Sequence, residues 1–485
     1  MSLAAKTLTA VTSNYIGTLV RVVAQFGAQL VIMRQLGPEP VGMFGYVTLA
    51  FGVLALFVDQ GFGWSLIQSD WDEEEIKIVL SRLLLGSSLA AVLVYCLSWP
   101  AEYYLGGLAG SLFRWAAPSC VLIAVWGIAQ ARLRKDLQFG KIQIANTGAY
   151  IFATPVVGVT LALLGFGVWS LLAAWYVQSI LMVAISYYYA PHSLKLGNPF
   201  KSTRAGALGR QVAGINIVNW SVDNVSGLTV GALGPSALGT FNAALMLSRT
   251  PAVQLAQTLQ SVLFSAASAL GQDAIRQRRL YLGALSVIAL IATPAYGYGM
   301  THSDFIIRMV FGAKWIDASG AFAAMTVGMV AVAMNALSGA MLTANGGQGA
   351  VLRSQVLCLV LMTVALLVAN HFGLVGVGLA ISLAYVIRLV YQMRAMAERI
   401  DIHAGAFVEV MRGPLLAACV MAIPLGALAP RSIPEAAAEG LALLGQTGAV
   451  LCLVALFPRW FLSDPLRDVM QRFGPGVRLL RLVDR

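Results

Sequence analysis

Apolar blocks of about 20 residues recur along the whole chain, and they limit the possible folds more than any other feature. A helix of about 20 residues is long enough to cross the hydrocarbon core of a bilayer. Hydrophobic residues make up 59% of the 485 residues and charged residues only 11%. A soluble chain of this length carries far more charge. Because a helix satisfies its own backbone hydrogen bonds where water is absent, the blocks predict membrane-spanning helices.

These blocks predict an all-α polytopic membrane protein with about fourteen transmembrane helices. The first block is long enough to span the membrane, so we expect an uncleaved helix there rather than a signal peptide. The predicted spans are centred near Arg21, Leu54, Ala90, Val121, Phe152, Ala174, Asn219, Thr250, Ile291, Val330, Leu361, Tyr385, Val420 and Val450.

The residue types that usually carry catalysis or bind metals are few and dispersed. The five cysteines lie in apolar blocks without a CxxC pair, and the four histidines are scattered, so no metal site is expected. The sequence contains no phosphate-binding GxxxxGK[ST] motif, no HExxH motif and no nucleophile elbow. We therefore expect neither an enzyme with catalytic residues nor a bound cofactor.

Lysine and arginine cluster in alternate loops, which places those loops in the cytoplasm. The clusters are Arg132–Lys135, Lys195–Arg210, Arg276–Arg279 and the tail from Arg459. This bias predicts a multi-pass protein of the bacterial inner membrane with both termini cytoplasmic. The net charge of +11 is then explained by contact with anionic membrane lipids, and no nucleic-acid partner is expected.

One ten-residue segment occurs twice, 197 residues apart: LGPEPVGMFG at Leu36–Gly45 and LGPSALGTFN at Leu233–Asn242. Its Gly-Pro step predicts a tight turn on the outer side, and its second glycine predicts that the next helix starts close to a neighbour. A weaker echo links Gly165–Val168 with Gly373–Gly376. An interval that holds six spans predicts two parallel six-helix halves around a central cavity, which is typical of transporters.

The repeat divides the chain into four predicted parts. Residues 1–195 and 196–400 form the two six-helix halves, and residues 401–458 form two additional C-terminal helices. Residues 459–485 form a basic cytoplasmic tail suited to the membrane interface.

Several motifs resemble the oligosaccharide-flippase (Wzx-type, polysaccharide transport) branch of the multidrug/oligosaccharidyl-lipid/polysaccharide exporter superfamily. The resemblance covers roughly residues 10 to 395, and the last two spans match by hydrophobicity alone. The motifs are Arg34–Pro38 with Gly42 and Phe44, Asp59–Gly63 with Gln68, Leu133–Phe139, Gly165–Leu171 and Phe311–Trp315.

This resemblance implies a function in polysaccharide biosynthesis. A flippase of this branch moves a polyprenyl-pyrophosphate-linked oligosaccharide from the cytoplasmic to the outer leaflet by alternating access. The partners implied are the lipid-linked oligosaccharide, membrane lipids, and the glycosyltransferases and polymerase of a polysaccharide assembly system.

Arginines within spans are the main candidate binding residues, because a charge in the membrane is costly unless it faces a cavity or a partner. Arg21 shares one helical face with Gln25 and Gln29. Arg249 lies in the middle of the eighth span, followed by Gln254 and Gln257. A guanidinium binds phosphate oxygens in a bidentate manner, so we expect these groups to hold the pyrophosphate or sugar.

Acidic residues leave the role of these arginines open, because Asp59 and Asp223 could pair with them in a purely structural way. Asp223 lies near Asn216 and Asn219, and is the better candidate for ion coupling or sugar contact. For Asp59 we expect a structural role rather than ion coupling. Arg82 lies near a cytoplasmic helix end, where we expect it to reach the head groups, and Trp220 is expected to pack.

Three alternatives compete with the oligosaccharide flippase. A flippase for the peptidoglycan lipid precursor shares the two halves, the two additional helices and a cationic cavity. A drug exporter of the same superfamily would carry acidic residues in its cavity, and arginine outnumbers acid within the spans here. A non-transporting scaffold for glycan assembly would have no use for arginines in the middle of its spans.

Overall fold

The structure is a computed structural model that describes residues 24–59, 72–201, 205–271, 273–428 and 434–467. Within these ranges all the regular structure is helical, and every predicted span centre lies in a helix. Arg21, the centre of the first span, lies outside the described residues.

The helices up to residue 231 are α1 (residues 24–36), α2 (Pro38–Asp59), α3 (Glu73–Leu105), α4 (Gly107–Ala116), α5 (Leu122–Lys135), α6 (Phe139–Leu163), α7 (Trp169–Tyr189) and α8 (Ala205–Gly231). The later helices are α9 (Pro235–Leu270), α10 (Ala274–Thr301), α11 (Ser303–Val310), α12 (Ala318–Ala344), α13 (Gln348–Ala369), α14 (Gly373–Ile400), α15 (Ala404–Met421), α16 (Glu435–Leu456) and α17 (Pro458–Phe461).

In the described ranges, nine helical segments are long and apolar enough to cross a membrane, and α4 with α5 forms a bent pair that adds a tenth. One of the nine runs through both α13 and α14. The chain is therefore a multi-pass membrane protein. Helices α8, with 27 residues, and α9, with 36, are not among these segments, which were identified within the described residues.

The duplicated Leu-Gly-Pro segment forms the same turn twice. Gly37 has a φ of 85° and Gly234 a φ of 108°, a region that favours glycine because it has no Cβ. The proline after each glycine begins a helix, Pro38 for α2 and Pro235 for α9, where the missing N–H costs nothing. The predicted tight turns are confirmed.

The second glycine of each copy lies where two helices meet. A Cβ on Gly42 would overlap the carbonyl of Pro235, and a Cβ on Gly239 would overlap the carbonyl of Pro38. The contact is reciprocal, since both pairs are related by the 197-residue offset. The prediction that this glycine permits close approach is confirmed, and the neighbour in each case is the other copy of the repeat.

Helices α2 and α8 pack along a line of small residues. The Tyr46 hydroxyl donates a hydrogen bond of 2.5 Å to the Gly231 carbonyl, and Leu49 lies against Gly227. Trp220 packs its indole on Gly52, which leaves no space there for a side chain. Small residues let two helix backbones approach closely, which is how helices associate in membranes.

Buried amides tie neighbouring helices together in two places. The Gln130 amide of α5 donates to Asn146 of α6 and Ser186 of α7, both at 3.2 Å. The Gln392 amide of α14 donates to Ser354 of α13 at 2.9 Å. Each glutamine is almost fully buried, so its hydrogen bonds offset the cost of removing an amide from water.

The chain divides into two compact units, residues 1–240 and 241–485. Their boundary lies in α9, a few residues after the second copy of the turn. The predicted boundaries at residues 195, 400 and 458 come from the repeat and the charge pattern, and they remain predictions.

Candidate functional site

The candidate residues of the first span are only partly described. Arg21 lies outside the described residues, and Gln25 and Gln29 occupy successive turns of α1. Gln25 is exposed and Gln29 is half-buried, whereas Ala28 and Ile32 pack inside the unit. α1 therefore presents amides on one side and apolar residues on another, as the spacing predicts.

Helix α8 carries a polar stripe in the first unit. Asn216, Asn219 and Asp223 recur at intervals of three and four residues, so they share one face of the helix. The two asparagines are half-buried and Asp223 is exposed. Trp220 borders the stripe, but its ring is occupied by the contact with Gly52. The expectation that Trp220 packs is confirmed. Asp59 ends α2, and its side chain is not among the described ones.

Arg249 lies in the interior of α9, fourteen residues after the first residue of the helix. Its side chain is half-buried and interacts with a neighbouring group. Gln254 is also half-buried and has a partner, and Gln257 is exposed. These residues belong to the second unit, whereas Gln25, Gln29, Asn216, Asn219 and Asp223 belong to the first. A central cavity that combines the two groups remains a prediction.

Arg82 connects two elements within the first unit. Its Nε donates to the Pro199 carbonyl at 2.6 Å, and its Nη2 donates to the Lys201 carbonyl. The same loop is held by Gly197, whose N–H donates to the Ser81 hydroxyl at 2.8 Å. Arg82 therefore fastens the loop of residues 191–201 to α3. The partners of Arg82 are therefore loop carbonyls, and not only the lipid head groups that its place near a helix end predicts.

An apolar cavity of about 460 Å³ lies between α10, α12, α14 and α15 of the second unit. Its lining includes Met300, Val330, Met393, Met411 and Leu415. The sequence does not reveal this cavity, because an apolar residue that lines a cavity looks the same in sequence as one that faces lipid.

Arg388 of α14 is a further arginine within a predicted span. It is half-buried, and its Nε is buried without a hydrogen-bond partner in the described part of the chain. The sequence itself indicates this position, because Arg388 lies three residues from Tyr385, the centre of a predicted span.

Comparison with known proteins identifies the family. The model of the family described as "Polysaccharide biosynthesis protein" matches residues 31–320, more than half of the chain. The chain is 24% identical over 335 residues to the lipopolysaccharide biosynthesis protein WzxC of Escherichia coli K12, covering 65% of both proteins. It is 23% identical over 316 residues to the succinoglycan biosynthesis transport protein ExoT of Rhizobium meliloti 1021, covering 64% of the chain and 62% of ExoT. The matches thus span less than two thirds of either relative.

The fold is that of a solved transporter. The lipid II flippase MurJ in its inward closed conformation superposes with a TM-score of 0.71 over 91% of this chain and 99% of MurJ, at 16% identity. An identity this low shows a shared fold and leaves the substrate open. The predicted all-α polytopic membrane fold is confirmed, and the chain belongs to the polysaccharide biosynthesis protein family.

Proposed function

We propose that this protein moves a polyprenyl-pyrophosphate-linked oligosaccharide from the cytoplasmic to the outer leaflet of the bacterial inner membrane. The single observation that carries the proposal is the half-buried Arg249 in the interior of α9, in a chain of the polysaccharide biosynthesis family. A permanently charged guanidinium at membrane depth is costly, and binding an anionic substrate is one use that offsets its cost.

Three helices, α1, α8 and α9, supply the remaining groups for the head of the substrate. The asparagines of α8, Asn216 and Asn219, and the amides Gln25, Gln29, Gln254 and Gln257 offer donors and acceptors that suit sugar hydroxyls. Arg21 is the second cation proposed for the pyrophosphate. Asp223, exposed at the end of the α8 stripe, is the candidate for ion coupling, with Asp59 as the weaker candidate.

The apolar cavity of the second unit suits the other end of such a substrate. Its volume of about 460 Å³ lies in the range of ligand pockets, and its named lining residues are methionine, leucine and valine. Flexible methionine side chains adapt to irregular apolar ligands. We therefore assign this cavity to part of the polyprenyl chain.

The test replaces Arg21 and Arg249, each by alanine and by lysine, in cells that depend on this protein for surface polysaccharide. Loss of the bidentate contact should lower surface polysaccharide at least about tenfold in R249A, the factor that corresponds to 1.4 kcal/mol. Lysine keeps the charge without the fork, so R249K should retain an intermediate level. The lipid-linked repeat unit should accumulate on the cytoplasmic side of the deficient cells.

Arg308 provides the matched control, because it is exposed on the short helix α11. R308A should leave polysaccharide at the wild-type level when the amounts of protein in the membrane are equal. Full activity in both R21A and R249A would refute the role of these arginines in substrate binding. Accumulation of the peptidoglycan precursor instead of the oligosaccharide lipid would support the rival flippase.

A further inference from the structure

A further cavity of the second unit, of about 480 Å³, lies where three membrane-spanning helices end on the same side. It is lined by the start of α10, the end of α14, the start of α15 and the segment that follows α17. α10 begins in the arginine cluster Arg276–Arg279, so this is the predicted cytoplasmic side. The volume lies in the range of sites for small molecules. No function assigned above uses this cavity, which we call the charged cavity.

Charged side chains of both signs line the charged cavity. Arg278 and Arg279 come from α10, and the carboxylates of Asp401, Glu409 and Asp464 come from other parts of the chain. The half-buried Arg278 donates from Nη1 to the backbone carbonyl of Asp401 at 3.1 Å, rather than to a carboxylate. The half-buried Glu409 accepts the backbone N–H of Asp464 through Oε1 at 3.0 Å. Because a guanidinium offers several N–H donors and a carboxylate several acceptor positions, both groups retain capacity for a ligand.

The starts of two helices add a positive potential to the same cavity. Ala274 and Ile275 in the first turn of α10 line it, and so does Ala406 in the first turn of α15. The N-terminus of a helix carries a partial positive charge and favours anions. Arginine binds phosphate oxygens through parallel hydrogen bonds. The arginines and the helix starts therefore suit a phosphate group.

The carboxylates require a positive group on the same ligand. An anion without a cation would bring its negative charge close to Asp401 and Glu409. An ammonium group offers N–H donors to these carboxylates and offsets their charge. Asp464 contributes least, since its side chain is 84% exposed and lies 3.8 Å from that of Arg467. The cavity thus matches a ligand that carries both a phosphate and a primary ammonium.

The position of the charged cavity favours a lipid over a soluble ligand. It lies at the ends of membrane-spanning helices, which is the level of the lipid headgroups. Ile275, which lines it, is 75% exposed, so apolar surface adjoins the charges. Trp460, which precedes Asp464 by four residues, is 59% exposed, and exposed tryptophans are typical of the headgroup level. We propose that the charged cavity binds the headgroup of an amine-bearing zwitterionic phospholipid, phosphatidylethanolamine, and that this lipid joins the cytoplasmic ends of α10, α14 and α15.

The experiment measures lipid binding to the purified full-length protein by native mass spectrometry. Lipids with identical acyl chains are compared: phosphatidylethanolamine, phosphatidylglycerol, which lacks an ammonium, and phosphatidylcholine, whose methylated ammonium has no N–H. We expect phosphatidylethanolamine to bind about three to ten times more tightly than either of the others. Water-soluble glycerophosphoethanolamine, which has the same headgroup without acyl chains, should compete only weakly.

Variants of the charged residues separate the contributions of the phosphate and the ammonium. R278Q should lower the affinity for phosphatidylethanolamine and for phosphatidylglycerol, because both carry a phosphate. D401N and E409Q should lower the affinity for phosphatidylethanolamine about threefold or more and raise that for phosphatidylglycerol, because a repelling carboxylate is removed. Asparagine tolerates the positive φ of 49° at Asp401, and glutamine at position 409 can still accept the N–H of Asp464. A general loss of stability would instead lower the affinity for every lipid.

R394Q and E398Q are the matched controls, because Arg394 and Glu398 are exposed near the same end of α14 and do not line the cavity. Both should keep the lipid preference of the wild type. If the wild type bound either of the other lipids as tightly as phosphatidylethanolamine, the proposal would be wrong. An unchanged lipid preference in R278Q, D401N and E409Q would also overturn it. Competition by glycerophosphoethanolamine at the same concentrations as the lipid would assign the cavity to a free zwitterion and overturn the lipid assignment.

Discussion

At the scale of single residues, two glycines determine where helices can cross. Gly42 and Gly239 are equivalent in the repeat. Each lies against the backbone of the proline that begins the helix in the other copy. A side chain at either position meets a carbonyl, which cannot rotate away as the end of a flexible side chain could. The contact therefore tolerates no larger residue.

G42A and G239A should each destabilise the protein by about 1 to 3 kcal/mol or more, as inserted methyl groups do in packed interiors. The measurement is the melting temperature of the purified protein, with membrane expression as a second readout. G214A is the control, since Gly214 is exposed on α8 and a Cβ there meets nothing within 4 Å. Equal melting temperatures for all three variants would show that the helix contact accommodates a methyl group at Gly42 and Gly239 without loss of stability.

His302 and Glu439 illustrate the opposite case at this scale, in which nothing in the sequence indicates the partner. A lone histidine at a helix end and a glutamate at the start of an apolar block are each unremarkable. They meet only because the end of α10 and the start of α16 bring His302 Nε2 and Glu439 Oε2 to within 3.5 Å.

At the scale of helices, α8 and α9 carry most of the polar candidate residues. Arg249 lies in the interior of α9, and the stripe of Asn216, Asn219 and Asp223 lies on one face of α8. Polar groups in a membrane helix favour a wet cavity or a protein partner over lipid. These polar side chains make the two helices candidates for contact with substrate.

Arg82 determines the position of a loop at the same scale. R82A removes hydrogen bonds to two carbonyls of the 191–201 loop, a loss of about 1 to 2 kcal/mol for a partly exposed guanidinium. Trypsin should then cleave after Lys195 or Lys201 about 5 to 30 times faster. The assay uses inside-out membrane vesicles, in which the predicted cytoplasmic side faces the protease.

R134A is the control for this loop experiment, because Arg134 is exposed at the end of α5 on the same predicted side. It should leave the cleavage rate unchanged. If R82A and R134A were cleaved equally, the interaction seen at Arg82 would not hold the loop in solution.

At the scale of the whole molecule, the orientation in the membrane remains a prediction from charge. The last turn of α5, which leads into the turn before α6, carries Arg132, Arg134 and Lys135, while the turn of residues 164–168 carries no charge. Basic residues in short loops favour the cytoplasmic side. The two turns lie at opposite ends of α6 and should therefore lie on opposite sides of the bilayer.

Single cysteines test this orientation in a variant from which the five native cysteines have been removed. Leu137 is 66% exposed and Phe166 is 53% exposed, so both positions should accept a thiol reagent. A membrane-impermeant reagent should label F166C in intact cells and L137C only after permeabilisation. Labelling in the reverse order would invert the orientation and place both termini outside.

The helices and the turn of the repeat were readable from sequence for a local reason. A helix in lipid must satisfy its hydrogen bonds within about 20 consecutive residues, so apolar length alone locates it. Gly37 and Gly234 were equally readable, because glycine tolerates a positive φ and the proline that follows has a fixed φ suited to the start of a helix. The structural role of Arg82 followed from its place near a helix end, but its partners in the loop did not.

Three features depended on tertiary structure: the reciprocal contact of Gly42 and Gly239, the apolar cavity, and the His302–Glu439 pair. Each joins residues that are distant along the chain. In a bilayer lipid is as apolar as a neighbouring helix, so hydropathy indicates that a segment is inserted but not which segment it touches. The sequence by itself determined the class of protein, the positions of the helices and the two equivalent turns. The shapes of facing side chains, which only the folded chain brings together, decided which helices meet.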